Sequence, residues 1–217
     1  MNYLDDIKAN VADCQKVLIG IGTNLEWDMI DADRHKELVS FYNQLKELVE
    51  GRDYYIITLC KDDVIFEVFE EDAKITAPAG SMKRFQCANA CSDMDNEAFA
   101  KYQGRVIFDK KMDKCPVCGG ELVANNITAA NYAEEGYFAS FADYKKWLQS
   151  TVNRKLTMLE LGAGLNYPSV IRFAFDKLCY YNQKAIFYRI NDKLYQHTAE
   201  NKDRGVSVAM EPIALFK

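Results

Sequence analysis

The sequence predicts an α/β fold: a Rossmann-like, mostly parallel sheet with helices on both faces, interrupted by a small inserted zinc-ribbon module. Three observations predict it. Short apolar strands alternate with amphipathic helices, the pattern of a parallel sheet with helical crossovers. Glycine turns follow two of the strands, at Gly20-Ile21-Gly22 and Gly162-Ala163-Gly164. Four of the seven cysteines fall in two short hooks in mid-chain.

The elements follow in order. Residues 2–14 read as a helix and 16–20 (KVLIG) as a buried strand. Residues 31–50 carry Leu38, Phe41, Leu45 and Leu48 at helical spacing, with Asp31 or Asp33 to cap the start and Gly51 to end it. Residues 53–59 (DYYIITL) read as the next strand, 62–70 as a short helical or irregular piece, and 73–76 as a strand before the turn APAGS. Residues 138–152 form an amphipathic helix with Phe138, Phe141, Trp147 and Leu148 toward the core. Residues 156–161 (LTMLEL) form a strand, Pro168 suits the first turn of a helix running to about Tyr181, and strands follow at 185–190 and 206–210. The predicted division is 1–81 with 154–217 as the nucleotide-binding layer and 82–153 as the zinc module with its connecting helix.

Size and charge bound the function. A chain of 217 residues can bury roughly 70% of its unfolded surface, enough for a real core. Lys plus Arg is 27 against 32 for Asp plus Glu, a net charge of −5, which argues against a nucleic-acid partner. No apolar run approaches the roughly 18 residues of a membrane span. The polar, acidic start MNYLDDIKANVADC reads as neither a signal nor a transit peptide, so a cytoplasmic location with reduced thiols is expected. With only His35 and His197 present, histidine-dependent catalysis is narrowly limited.

Cys87 and Cys91 form a C-x3-C hook, Cys115 and Cys118 a C-x2-C hook, and 23 residues separate them. Two such hooks are the usual construction of a tetrahedral Zn-S4 site, each turning two sulfurs toward one point at ~2.3 Å from the metal. Two disulfides are the alternative, disfavoured in a reducing compartment. Four thiolates leave no open position, so the zinc is expected to be structural. Cys14 and Cys179 read as buried core thiols. The connection from Ser92 to Lys114 is charged and reads as a surface excursion, with Lys110, Lys111 and Lys114 as solvated charges. Glu134-Glu135 reads as a solvated turn. Tyr54-Tyr55 and Tyr180-Tyr181 read as extended pairs facing two directions. The stripe Tyr137, Phe138, Phe141, Tyr144 and Trp147 reads as helix packing rather than a cofactor box.

The glycine turns place backbone where a pyrophosphate can approach, at the C-terminal ends of strands. The first lacks the third glycine of G-x-G-x-x-G, since position 25 is leucine. From the glycines alone, two tight connections are the slightly stronger reading.

The combination is more specific. A strand ending in G-x-G, an I-T-x-x-x-D segment, a turn ending in Gly-Ser, the stretches FQCANACSDMDNE and CPVCGGEL, then LELGAGLNYPSVIRFAFDKL and YRIND, occur in this order. The chain resembles the Sir2 family, the sirtuins, and within it the bacterial class M branch often found beside macrodomain proteins. The resemblance covers nearly the whole chain and is stronger downstream. It implies cleavage of the nicotinamide–ribose bond of NAD+ and transfer of ADP-ribose to an acyl-lysine or a protein side chain. It also implies that Gly20, Gly22, Thr23 and Asn24 form the first cofactor turn. Gly162, Gly164 and Asn166 would form the second, Asn191 would hold the adenine ribose, and Asp62 would help bind the nicotinamide amide.

Departures from the family pattern fall at its chemistry. Asn24 takes a serine position, Cys60 an asparagine position, and Ala79 the position of the catalytic histidine, glutamine in parts of class M. The cofactor-covering loop and the small helical module are missing between Trp27 and Asp53. A zinc-containing NAD+/ADP-ribose-binding protein with impaired chemistry is therefore expected. One alternative is an active transferase, deacylase or NAD hydrolase with rearranged groups, using Cys60 as nucleophile and Asp62 or Asp63 as base. For Cys60, a small buried residue at a strand end is the preferred reading, because Lys61 is the only obvious cation that could activate it. A further alternative is a protein-interaction module or homodimer, with Phe66, Phe69 and Trp27 uncovered where the helical module is absent.

Overall fold

The computed structural model describes residues 3–70, 74–102, 104–107 and 112–217. The chain runs α1 (Tyr3–Asp13), β1 (Lys16–Ile21), α2 (Ala32–Val49), β2 (Tyr54–Thr58), a single-turn α3 (Ile65–Val68) and β3 (Ile75–Thr76). The cysteine region contributes β4 (Gly80–Cys87), the short α4 (Glu97–Ala100), β5 (Val106–Ile107) and β6 (Leu122–Asn126). Then come α5 (Phe138–Gln149), β7 (Leu156–Leu161), α6 (Arg172–Tyr181), β8 (Ala185–Ile190) and β9 (Gly205–Val208).

Six strands form one sheet in the order β3-β2-β1-β7-β8-β9, every pair parallel. The order runs outward in both directions from the β1–β7 pair, which creates a topological switch point at their C-terminal ends. A strand buried on both faces reads as continuous apolar sequence, and KVLIGI is buried at every position after Lys16. One face carries Ile19, Ile21, Leu159 and Leu161 beneath α1 and α2; the other carries Leu18, Ile57, Met158 and Phe187 beneath α5 and α6. Tyr54 and Tyr55 point to opposite cores, as their adjacency in a strand requires. A second sheet, β5-β4-β6, is antiparallel and carries the cysteine hooks.

Several local expectations need correction. Phe138 is 41% exposed at the start of α5, and Tyr144 takes the core position beside Trp147. The helix after the second glycine turn begins at Arg172, so Pro168 sits in the preceding turn, where its carbonyl accepts the Phe173 N–H. Tyr180 and Tyr181 end that helix, both exposed, rather than lying in an extended segment. Cys14 is half-buried, with its thiol donating to the Val11 carbonyl. Glu135 is not solvated: it is paired with Arg105 and largely enclosed. The excursion has its own small core of Phe99, Val106 and Ile107. Lys110 and Lys111 lie outside the described residues.

One charged feature is built into the sheet. Glu160 on β7 and Arg189 on β8 are register partners on neighbouring strands, each 1% exposed at the side chain. Arg189 Nε donates to Glu160 Oε1 at 2.8 Å and Nη2 to Oε2 at 3.0 Å, a bidentate pair. Arg189 also reaches Asp176 at 3.1 Å, and Arg172 reaches Glu160 at 3.3 Å. Burial pushes the Glu160 carboxyl pKa upward, against the pull of the two guanidinium groups. Removing one partner of such a pair strands the others. Glu160→Ala is expected to lose about 3–5 kcal/mol in denaturant unfolding. Lys146→Ala, which opens the surface pair with Asp143, should cost under about 1 kcal/mol. Similar losses for the two variants would contradict the packing described.

Candidate functional site

The two glycine turns meet at the switch point. Gly22 N–H donates to the Leu161 carbonyl at 2.8 Å, and Asn24 N–H to the Gly162 carbonyl at 3.3 Å. A Cβ on Gly22 would lie 2.2 Å from the Ala163 Cα and 2.3 Å from the Gly162 oxygen, so only glycine lets the turns touch. A Cβ on Gly20 would strike Ile171 and Phe175 of α6, so this glycine serves helix-to-strand packing. Gly162 holds φ +66°, whereas Gly164 faces open space.

A cavity of about 490 Å3 opens beside this contact, lined by Asn24, Arg34, Gly164, Asn191, Asp192, Lys193, Leu194, Glu211, Pro212 and Ile213. Asn24, Gly164 and Asn191, three of the residues that the resemblance assigns to the cofactor, line this one cavity. Thr23 begins a 3-10 turn just before Asn24. Asn166 is exposed and is not among the lining residues. Asn191 is heavily engaged: its Nδ2 donates to the Ala163 carbonyl at 3.2 Å, and its Oδ1 accepts the Lys193 and Leu194 N–H groups at 3.0 and 2.9 Å. Both acceptor lone pairs are thus occupied, leaving one amide hydrogen for a ligand. Arg34, whose guanidinium donates to the Asn24 carbonyl at 3.3 Å, and Lys193 bring two cations to the wall, where Asp192 and Glu211 bring two carboxylates. Neither cation was singled out from the sequence. Arg34 lies among the ordinary charges of an amphipathic helix and Lys193 in a post-strand loop.

On the other side of the first turn, Asp62 is buried and accepts the Trp27 N–H at 2.6 Å and the Val64 N–H at 2.9 Å. Burial raises its pKa, opposed by these two donors. Its carboxylate staples the loop after β1 to the loop after β2. Asp63 accepts the Ser81 hydroxyl at 2.5 Å and the Lys83 N–H at 3.2 Å, tying that loop to β4. The Cys60 thiol donates to the Gly22 carbonyl at 3.4 Å, beneath the turn and beside the buried Tyr42 hydroxyl. Burial, with Asp62 nearby, pushes its pKa far up, and Lys61 is paired with Glu26 at 2.6 Å instead. Ala79 is 1% exposed, and its carbonyl accepts the Ile127 N–H where β4 begins.

Neither histidine joins these groups. His35 bonds Glu67 at 2.9 Å and packs at a tilt on Trp27, while His197 packs on Phe187. Of the residues expected to be uncovered, Phe66 is exposed, Trp27 half-buried and Phe69 buried.

The four hook cysteines converge, with all sulfurs within 4.8 Å of one another and Cys87 and Cys118 3.6 Å apart. A regular tetrahedron of thiolates around zinc has edges of ~3.8 Å, so the donor set and spacing fit the metal. Backbone N–H groups of Asn89 and Gly120 donate to Cys87 and Cys118 at 3.3 and 3.4 Å, stabilising thiolate charge. The Gly120 bond is the first cause of a Cys118 pKa lowered to about 6. A Cβ on Gly120 would crowd Asn89 and the Cys118 sulfur, and Gly119 holds φ +68°. The hook's glycines thus answer to geometry.

Comparison with known proteins fixes the fold. No family model matches the chain. A solved complex of a Sir2 homologue with NAD superposes with a TM-score of 0.57 at 11% identity, covering 96% of this chain and 89% of that one. A Sir2–p53 peptide–NAD+ complex gives 0.59 at 10% identity, covering 98% and 95%. The chain has the Sir2 fold. A protein ADP-ribosyltransferase of Staphylococcus aureus is 27% identical over 165 residues, 71% of this chain. The Sir2-fold chain spans about half, 52%, of that relative's length. Among the described residues no helix is long and apolar enough to cross a membrane.

The sulfur cluster generates a direct prediction. The purified chain should carry near-stoichiometric zinc by elemental analysis. Cys115→Ser should lose the metal and destabilise the β4–β6 ribbon, since the binding energy of such a site is folding energy. Metal-free protein with an undiminished unfolding transition would contradict this.

Proposed function

We propose that this chain is a Sir2-like, ADP-ribose-binding protein of class M type, held by a structural zinc ribbon and impaired in transferase chemistry. The cavity at the switch point carries the reading. It borders the first turn at Asn24 and the second at Gly164, and sets Arg34 and Lys193, with Asp192 and Glu211, beside Asn191. A glycine-lined crevice at the C-terminal strand ends is where doubly wound sheets take phosphorylated nucleotides. Arg34 and Lys193 favour the diphosphate, and the free amide hydrogen of Asn191 suits a ribose oxygen. NAD+ bound there would supply an ADP-ribosyl group with nicotinamide as leaving group. Residues 1–81 with 154–217 would hold the ligand, and 82–153 the metal, in a reducing, cytoplasmic setting.

Impairment rests on Ala79, Cys60 and Asp62. Ala79 has no group to accept a proton or orient a ribose hydroxyl, and loss of such a base costs about 10²–10⁴ in rate. Cys60 is held as a thiol by burial and is no ready nucleophile. Asp62 spends its carboxylate on two backbone N–H groups.

The second reading is an active ADP-ribosyltransferase, favoured by the name of the Staphylococcus aureus relative. Two measurements separate the readings. Calorimetric titration of the zinc-loaded chain with ADP-ribose is expected to show saturable binding at micromolar to low millimolar concentration. No heat and no thermal shift at several millimolar would remove the ligand assignment. Nicotinamide release from NAD+ is expected to run at least about 10²-fold below that of an active Sir2 enzyme. A normal rate, or transfer of labelled ADP-ribose to protein, would establish the second reading.

A further inference from the structure

The buried charges under α6 contain one cation more than Glu160 needs. Arg189 alone satisfies both Glu160 oxygens. Arg172 adds a 3.3 Å contact to Glu160, and the same nitrogen, Nη1, donates to the Ala163 carbonyl at 3.2 Å. Asn191 donates to that carbonyl at 3.2 Å as well. Two side chains from different elements thus converge on one peptide oxygen in the second glycine turn.

In a trans peptide, the carbonyl of one residue and the N–H of the next lie in one plane and point in opposite directions. Drawing the Ala163 oxygen down toward Glu160 therefore turns the Gly164 N–H up and away. Among the described residues no protein acceptor takes that N–H. Gly164 lines the cavity, and a Cβ there would meet nothing within 4 Å. An unpartnered backbone donor on a residue that lines a cavity offers the chemistry of an anion site.

We infer that Arg172 is a positioning residue for an anionic ligand: it fixes the Ala163–Gly164 peptide so that the Gly164 N–H faces the ligand's phosphate. The inference rests on the ADP-ribose reading of this cavity and adds the group that orients its phosphate-binding peptide. Arg172 itself does not touch the ligand. Its removal weakens phosphate-bearing ligands and spares phosphate-free ones, a split that general loosening of the fold does not produce.

The test uses the full zinc-loaded chain, with ADP-ribose and adenosine as probes, in wild type, Arg172→Met and Arg172→Lys. Arg172→Met should bind ADP-ribose about tenfold or more weakly, with adenosine affinity unchanged and Arg172→Lys intermediate. The Gly164 amide resonance of the wild type should shift downfield on saturation with ADP-ribose and not with adenosine. Equal ADP-ribose affinity in a folded Arg172→Met, or an equal loss for adenosine, overturns the inference and leaves the ADP-ribose reading standing. If Arg172→Met does not fold, an unmoved Gly164 amide in the saturated wild type overturns it instead. A wild type that binds no ADP-ribose overturns both.

Discussion

The site depends on the contact between two glycine turns. Gly22 can approach the Gly162–Ala163 backbone only because it has no Cβ. That contact lies beyond the ends of β1 and β7, where the strand order reverses, and Gly164 lines the cavity beside it. The groups around it hold one turn or the other. Asp62 staples the loop after β1, Cys60 sits under Gly22, and Asn191 and Arg172 hold the Ala163 carbonyl. Several residues that the family resemblance assigns to cofactor contact are thus structural ties of the crevice.

Similar ties join the cysteine ribbon to the main sheet. Asp63 and Ser81 connect the loop after β2 to β4, and the Met82 N–H donates to the Lys61 carbonyl at 2.8 Å. The cysteine ribbon is thereby tied to the loop after β2 at its first strand, β4. Alanine at position 79 packs there without disturbing these ties, since it is buried among apolar neighbours.

Much of the fold was legible because its signals are local. The buried strands are continuous apolar runs, α2 has its Asp31 cap and Gly51 exit, and the cysteine hooks have metal spacing. The ribbon strands β4–β6 were not placed, because their pattern is set by the hooks and by Asn125–Gln86 and Asn126–Ser81 bonds rather than by hydrophobic alternation. Phe138 was misplaced because an aromatic at a helix start satisfies the helical period without facing the core. The buried tetrad of Glu160, Arg172, Asp176 and Arg189 did leave a signal. LTMLEL and AIFYRI each carry one charge at the same depth of an otherwise apolar strand, and parallel register makes them partners. Arg34 and Lys193 left none, since only the tertiary fold brings them to one cavity.

The most direct test of the central claim is a crystal of the zinc-loaded chain soaked with ADP-ribose. The account predicts difference density in the cavity bounded by Asn24, Gly164 and Asn191, with the diphosphate against the two glycine turns. Density at another surface, or an unchanged cavity at saturating ligand, would contradict it.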